Sequence, residues 1–178
     1  MKQQGFTLTE TLTTAAIILI AVTSGTRTLQ GVIQQSRANS EFSELILQVR
    51  TARQYAITHS QTVVLCPSFD SINCINDWKA PKQIFFDRNT NKKRDSNEPI
   101  ERQFNAILSS DTLIKYPKTQ IRFNAQGVTH FYNGTLAYCT NDIVRGLIIS
   151  RLGRIRIARD VNGDTIPDIH KDKAVSCL

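Results

Sequence analysis

The chain has 178 residues, which is long enough for one domain with a real core, and it carries a net charge of +7. The charge is not diffuse: residues 112–159 hold eight lysines and arginines against the single acid Asp142, a net of +7, so the rest of the chain is neutral. A concentrated positive field attracts polyanions, whereas a diffuse one mainly aids solubility. A basic face without a partner is the alternative.

The N-terminal region is apolar and carries no charge between residues 11 and 26, with Lys2 before this stretch and Arg27 after it. From Phe6 to Thr26 a helix would be roughly 30 Å long, enough for one bilayer crossing. A secretory signal peptide is disfavoured because no small-x-small cleavage site follows the apolar core. Glu10 is costly in such a helix, about 2–3 kcal/mol, which implies a partner for its carboxylate.

Apolar residues continue at spacings of three and four beyond this region, which predicts one long helix over about 6–59 whose second half packs on a globular domain. The stripe consists of Ala38, Phe42, Leu45, Ile46, Val49, Ala52 and Ala56.

Short apolar runs separated by turn residues follow the helix and predict strands. The candidate strands are TVVLCP at 62–67, 84–87, 120–124, 128–132, 135–139, 145–150 and 154–159. Asn133-Gly134 lies between two of these runs and predicts a hairpin turn. One helix followed by strands gives an α+β fold with an antiparallel sheet.

The four cysteines, Cys66, Cys74, Cys139 and Cys177, form no C-x-x-C pair and have no histidine within four residues, which argues against a zinc site. If the chain is exported, their even number favours two disulfides, for which three connectivities exist. We favour Cys66–Cys74, a short loop closure, and Cys139–Cys177, which would hold the C-terminal tail. Four reduced core thiols are the alternative.

The stretch RLGRIRIARD at 151–160 contains four arginines. In a regular strand Arg154 and Arg156 share one face and Ile155 and Ile157 share the other, which could pack on a core. Two neighbouring arginines can also remain in water at little cost, so this pattern alone does not establish a binding site.

No other stretch predicts catalysis or a cofactor. Asp160, Asn162, Asp164 and Asp168 have calcium-loop spacing, but Thr165 and Lys171 occupy the positions where an EF-hand has glycine and glutamate, so a polar turn is favoured. The three histidines are far apart in sequence, and no nucleophile-elbow or phosphate-binding loop motif is present. We therefore expect a protein that is not an enzyme and has no cofactor or metal.

Several aromatic residues of the globular half could stack on nucleic-acid bases, as they do in single-strand binders. These are Trp78, Phe85, Phe86, Phe123, Phe131 and Tyr132. We expect most of them in the core and one or two exposed, so phosphate contacts are the better-supported mode of binding.

The N-terminal sequence KQQGFTLTE resembles the class III leader of type IV pilins and pseudopilins. The resemblance implies a leader at 1–5, cleavage between Gly5 and Phe6 by a prepilin peptidase, and methylation of the Phe6 amine. It implies that Glu10 neutralises the N-terminus of a neighbouring subunit in the filament. The remaining chain would divide into a transmembrane and filament-core half-helix at 6–32 and a periplasmic globular domain at 33–178.

The globular half resembles the GspH/FimT group of minor pilins and pseudopilins in the order of LCPS, a second cysteine, a tryptophan, IFFDRN…NEP and GRIRI. A GRxR pattern in this group resembles FimT-type minor pilins, which bind DNA during natural transformation. It maps to Gly153, Arg154, Ile155 and Arg156, with glycine supplying a turn of positive φ.

The resemblance thus implies an inner-membrane, single-pass subunit of a type IV pilus that binds DNA without sequence preference. Further arginines flank the pattern and would widen the DNA contact; they are Arg145, Arg151 and Arg159. The alternative is a structural minor pilin or type II secretion pseudopilin that contacts other pilin subunits only.

Overall fold

The computed structural model describes residues 5, 7–171 and 173–177, and for residues 21–28 it describes the backbone only. The prediction for Phe6 therefore lies outside the described residues. The chain divides into two compact units, Met1–Asn39 and Ser40–Leu178. One helix, α1 (Leu8–His59), contributes residues to both. The bounds of α1 agree closely with the helix predicted over about 6–59. Gly25 and Gly31 weaken a helix but do not interrupt its hydrogen bonds, so α1 continues through both glycines.

The first turns of α1 are rich in threonine, and their hydroxyls are satisfied within the helix. Thr11 donates to the carbonyl of Leu8 at 2.8 Å, and Thr13 and Thr14 donate to the carbonyl of Glu10 at 3.0 and 2.9 Å. Such bonds to the preceding turn lower the cost of placing a hydroxyl in apolar surroundings. The side chain of Glu10 is exposed.

The sequence predicts a membrane-spanning half-helix at 6–32. Within residues 5, 7–171 and 173–177, no helix has an apolar stretch sufficient to cross a membrane. The membrane-spanning segment stays a prediction.

The second half of α1 buries the predicted apolar stripe in the globular unit. Phe42, Leu45, Val49, Ala52 and Ala56 are almost completely buried. This face therefore forms one wall of the core, as the spacing of three and four predicts.

In the part of the chain that the structure describes, ten strands and one 3₁₀ helix follow α1. They are β1 (Val63–Pro67), β2 (Lys82–Phe86), β3 (Ile100–Phe104), β4 (Thr112–Lys115), β5 (Ile121–Phe123), the 3₁₀ helix (His130–Tyr132), β6 (Gly134–Thr140), β7 (Ile143–Ile149), β8 (Ile155–Ile157), β9 (Asp168–His170) and β10 (Lys173–Ala174). They form two four-stranded sheets, ordered β3-β2-β1-β5 and β4-β6-β7-β8, and a two-stranded sheet of β9 and β10. All the pairings among these named strands are antiparallel, as the α+β prediction requires.

The predicted hairpin at Asn133-Gly134 is wrong. Gly134 is the first residue of β6, and the hairpin turn lies at Asn141 and Asp142, between β6 and β7. Asn141 adopts the left-handed conformation with φ 45° that such a turn requires. Gly134 has another function: a Cβ there would lie 2.7 Å from Cγ of Pro117, so glycine permits a close approach.

The predicted strand at 128–132 is also wrong, since its middle forms the 3₁₀ helix His130–Tyr132. The amide of Tyr132 donates to the carbonyl of Thr129 at 2.9 Å. His130 has a positive φ of 47°, which no regular strand accommodates. Apolar alternation over so few residues cannot separate these two conformations.

The structure contains both favoured disulfides, Cys66–Cys74 and Cys139–Cys177, with Cα–Cα distances of 5.5 and 6.4 Å. The second disulfide fixes the C-terminal tail, described at residues 158–171 and 173–177, on the outer face of the second sheet, which is the face opposite α1. There Val175 and Ala158 pack with Ile148 in a small buried cluster. The second sheet therefore lies between α1 and the tail.

Candidate nucleic-acid interface

Opposite charges lie at opposite ends of the second sheet. The register pairs Gly134 with Ile149 at one end and Thr140 with Ile143 at the other. Strands of this length separate the two ends by about 20 Å. We define the basic end as residues 115–118, 130–133 and 150–154, which meet beside the Gly134–Ile149 pair.

The basic end presents four exposed cations, which are Lys115, Lys118, Arg151 and Arg154. The opposite end carries the exposed acids Asp111 and Asp142. The pKa of Asp111 lies below its ordinary value, mainly because the side chain of Ser109 donates a hydrogen bond to the carboxylate. Backbone and neighbouring side-chain hydrogen bonds add to this, so this end remains negative. Four of the eight basic residues that the sequence concentrates in 112–159 are thus also close together in space.

A tight turn, residues 150–154, carries the first part of the GRxR pattern. The amide of Gly153 donates to the carbonyl of Ser150 at 2.8 Å, and the amide of Ser150 donates to the carbonyl of Arg154 at 2.9 Å. The amide of Arg154 also donates to Oγ of Ser150 at 3.0 Å. Gly153 has φ 74°, so it supplies the positive φ that the sequence predicts.

Backbone contacts fix this turn to the preceding loop. The hydroxyl of Thr129 donates to the carbonyl of Ser150 at 2.8 Å, and the amides of Thr129 and His130 donate to the carbonyl of Arg151 at 3.1 and 3.2 Å. Thr129 is buried. The turn is therefore held in one position by the residues that begin the 3₁₀ helix.

Arg156 follows on β8, where it pairs with Ile148 and so lies on the outer face of the second sheet. Its guanidinium is exposed, and Nη2 donates to the carbonyl of Ile169 in the tail at 2.7 Å. Ile155 is half-buried, but Ile157 is 46% exposed, contrary to the expected burial. Strand β8 is only three residues long and lies at the edge of the sheet, so the residues around it bury one of its two isoleucines and leave the other exposed.

A groove of about 630 Å³ extends from Arg156 along the tail. Its basic lining residues are Arg50, Arg156, Arg159, His170 and Lys171. Sequence reasoning missed Arg50 and Lys171, because neither belongs to the local arginine pattern and only the tertiary fold brings them to it. Arg159 lies in the lining of this groove, and its backbone pairs with Asp168. Its predicted DNA contact stays a prediction.

Arg145 does not join this surface. It pairs with Tyr138 on β6 and lies on the face of the second sheet toward α1, where its Cζ is 5.8 Å from the ring centre of Phe42. Because Arg156 pairs with Ile148, three residues further along β7, strand alternation directs it to the opposite face. The predicted DNA contact at Arg145 is therefore withdrawn.

Arg122, another cation of the basic window, is used within the fold. Its Nη2 lies 3.0 Å from Oδ2 of the buried Asp87. This ion pair removes one charge from the surface that the sequence count had included.

The loop with calcium spacing is closed by its own backbone. The carboxylate of Asp160 accepts hydrogen bonds from the amides of Gly163 at 2.7 Å and Thr165 at 2.9 Å. The bond from Gly163 is the main cause of the lowered pKa of Asp160. Asn162 donates to Asp164 at 3.0 Å. Among residues 5, 7–171 and 173–177, no group of three His, Cys, Asp or Glu side chains is placed to hold a metal ion. The geometry is that of a polar turn.

The aromatic residues divide sharply in exposure. Trp78, Phe85, Phe86 and Phe123 are buried, as expected of core residues. Tyr132 is half-buried, whereas Phe131, beside it on the 3₁₀ helix, is 80% exposed at the basic end.

Comparison with known proteins places these features in a family. The family model described as "Type II transport protein GspH" matches residues 41–153. No curated protein matches the chain.

Among solved structures, the fold matches the type IV minor pilin FimU of Pseudomonas aeruginosa in two crystal forms. The first has a TM-score of 0.54 and 20% identity over 71% of this chain and 91% of that one. The second has a TM-score of 0.48 and 21% identity over 70% and 92% of the two chains.

The GspH match covers more than half of the chain and ends at Gly153, one residue before Arg154. The long helix with antiparallel sheets is the architecture shared with FimU. The chain therefore belongs to the GspH family and has the type IV pilin-like fold.

Proposed function

We propose that this protein is a minor pilin that binds DNA through the phosphate groups during DNA uptake, with Arg154 and Arg156 as the principal contacts. Family membership supports the coarser role of a minor pilin or pseudopilin, a structural subunit that contacts other pilin subunits. The observation that carries the finer proposal is the fixed turn at 150–154, which presents exposed arginines at the basic end.

The chemistry of arginine supports phosphate as the ligand. A guanidinium remains charged at any relevant pH and has five N–H donors in a fork that matches phosphate oxygens. Arg156 gives one of these donors to the carbonyl of Ile169, which orients the group and leaves its other donors for a ligand. The fixed turn means that little backbone entropy is lost on binding.

Charge segregation supports a polyanion as the partner. A single phosphate needs a pocket, whereas a polymer of phosphates can contact cations that are spread over a surface. The exposed cations run from Lys115 and Lys118 across the basic end to the groove with Arg50, Arg159 and Lys171. The described side chains here form no base-reading helix, so we expect binding independent of sequence.

The N-terminal features support filament assembly as the setting. We propose that a prepilin peptidase cleaves after Gly5, that Phe6 becomes the methylated N-terminus, and that the subunit resides in the inner membrane before assembly. The carboxylate of Glu10 would then neutralise the N-terminal amine of a neighbouring subunit. The internally bonded threonines would allow the first turns of α1 to lie in an apolar filament core.

A purely structural subunit is the second candidate. The GspH match is compatible with it, because that match ends before both arginines and applies equally to pseudopilins. The two candidates differ in whether the protein itself binds DNA.

An affinity measurement on the full chain in non-ionic detergent separates them. Replacing Arg154 and Arg156 by glutamine should remove most DNA binding and transformation while leaving the fold and pilus assembly intact. Arg88→Gln with Arg102→Gln is the matched control, since both arginines are exposed and the charge change is the same. If the original chain does not bind DNA, the structural role is correct. If both double variants bind DNA like the original chain, Arg154 and Arg156 are not the DNA contacts.

A further inference from the structure

We propose that Phe131 is a stacking platform for an unpaired base of DNA at the basic end, so that the protein binds single-stranded DNA more tightly than phosphate contacts alone allow. This inference rests on the proposed DNA binding and adds to it the class of nucleic acid that is preferred.

Phe131 differs in exposure from the other phenylalanines and the tryptophan that the sequence suggests for stacking. Trp78, Phe85, Phe86 and Phe123 are in the core, while Phe131 is 80% exposed. A large aromatic side chain left in water loses the burial free energy that usually fixes such residues in a core. A ligand that covers the ring would recover it.

The ring is mounted on a rigid element. Phe131 is the central residue of the 3₁₀ helix His130–Tyr132, which follows the buried Thr129, whose hydroxyl bonds to the carbonyl of Ser150. The carbonyl of Tyr132 accepts a hydrogen bond from the hydroxyl of Tyr116. The hydroxyl of Tyr132 accepts another from Nε2 of Gln120 at 3.2 Å. The backbone that carries Phe131 is therefore fixed on both sides, which reduces the entropy lost on binding.

Other hydrogen bonds, at the start of the 3₁₀ helix, place Phe131 beside the tight turn at residues 150–154. The amides of Thr129 and His130 bond directly to the carbonyl of Arg151. Leu152, the next residue of the turn, is also exposed, so two apolar side chains interrupt the cationic surface. An alternation of cations and apolar groups fits a polymer of phosphates and flat bases, because each nucleotide supplies both groups.

A cavity of about 420 Å³ adjoins the ring. Phe131, His130, Lys92 and Tyr132 are among its lining residues. This volume is within the range of small-ligand sites, and the exposed ammonium of Lys92 adds a cation at the wall. Bases in a duplex are stacked on one another and cannot enter, so the proposed site selects unpaired bases.

Fluorescence anisotropy with the full chain in non-ionic detergent tests this assignment. The probes are a thymidine oligonucleotide and a mixed-sequence duplex, each labelled with fluorescein. Phe131→Ala should weaken binding of the oligonucleotide about tenfold and leave binding of the duplex within about twofold of the original. Phe131→Trp should retain oligonucleotide affinity, and the added exposed indole should be quenched on binding.

Phe69→Ala is the matched control, because Phe69 is 72% exposed in the loop closed by Cys66 and Cys74. It should change neither affinity. Equal losses on both probes, or no loss with Phe131→Ala, would overturn the stacking proposal and leave phosphate binding in place. If the original chain binds neither the oligonucleotide nor the duplex, the proposed function itself is refuted.

Discussion

The carbonyl oxygen of Gly127 lies 1.7 Å from the position that a Cβ on Gly153 would occupy. This oxygen also accepts a hydrogen bond from Nε of Arg53 at 3.1 Å, so α1, the loop before the 3₁₀ helix and the arginine turn meet at one point. The glycine of the GRxR pattern is thus required for two separate reasons, its positive φ and this close approach.

Gly153→Ala should therefore be strongly destabilising. The positive φ costs about 1 kcal/mol for alanine, and displacement of a fixed backbone adds about 1–3 kcal/mol, a total of about 2–4 kcal/mol. Gly163→Ala separates the two effects, since Gly163 has φ 85° but no atom within 4 Å of the place where a Cβ would lie. It should cost about 1 kcal/mol. Urea unfolding measures both, and equal losses would show that the contact with Gly127 is unimportant.

The two disulfides should contribute unequally. Cys139–Cys177 spans 38 residues and Cys66–Cys74 spans 8. Loop-closure entropy predicts about 4 and about 2.5 kcal/mol respectively. Alanine pairs at each disulfide, compared by urea unfolding, check the order. Removal of the longer closure should also speed hydrogen exchange in residues 158–177, and unchanged exchange there would contradict its role in fixing the tail.

Lys82 should make stability depend on pH. Burial lowers its pKa to about 8, although Glu44 and Asp77 partly oppose the shift. Below about pH 8 Lys82 is protonated in both the folded and the unfolded state, so the full cost of burying its charge lowers the free energy of unfolding. As the pH rises toward 10.5 this cost disappears, because Lys82 loses its proton in the folded state first.

Lys82→Met should therefore stabilise the protein by about 1–3 kcal/mol near neutral pH. The advantage should shrink above about pH 8 as the native lysine becomes neutral. Paired urea titrations of the two proteins at neutral and alkaline pH check this, and a difference that is constant with pH would refute the assignment to the buried ammonium.

Processing at the N-terminus can be tested independently of DNA. Expression with a prepilin peptidase should yield a chain that begins at a methylated Phe6, which intact mass measures. Glu10→Ala should impair filament assembly more than Glu10→Asp, because aspartate keeps the charge. An uncut chain, or cleavage beyond residue 20, would rule out the proposed maturation.

Long, regular patterns were readable from the sequence. The stripe from Phe42 to Ala56 predicts a buried helix face because each residue adds to one periodic signal. Gly153 was also readable, since a glycine between two arginines and a short apolar run indicates a turn.

Features set by tertiary contacts were not readable. Strand β3 (Ile100–Phe104) has three polar residues in a row and little apolar periodicity, yet pairing with β2 forms it. Arg145 looked equivalent to Arg156 until the register placed them on opposite faces. Phe131 was indistinguishable from core aromatics because the 3₁₀ helix that exposes it has no local signature.

The salt dependence of DNA affinity tests the central claim most directly. If about four phosphates are neutralised, log Kd plotted against log salt concentration for a duplex should have a slope of about 3.6, so affinity should fall about a hundredfold between 50 and 200 mM salt. Replacing Arg154 and Arg156 by glutamine should reduce this slope by about 1.8, one phosphate for each arginine, whereas the Arg88 and Arg102 control should leave it unchanged. An unchanged slope in the Arg154 and Arg156 variant, with the protein folded, would contradict the account.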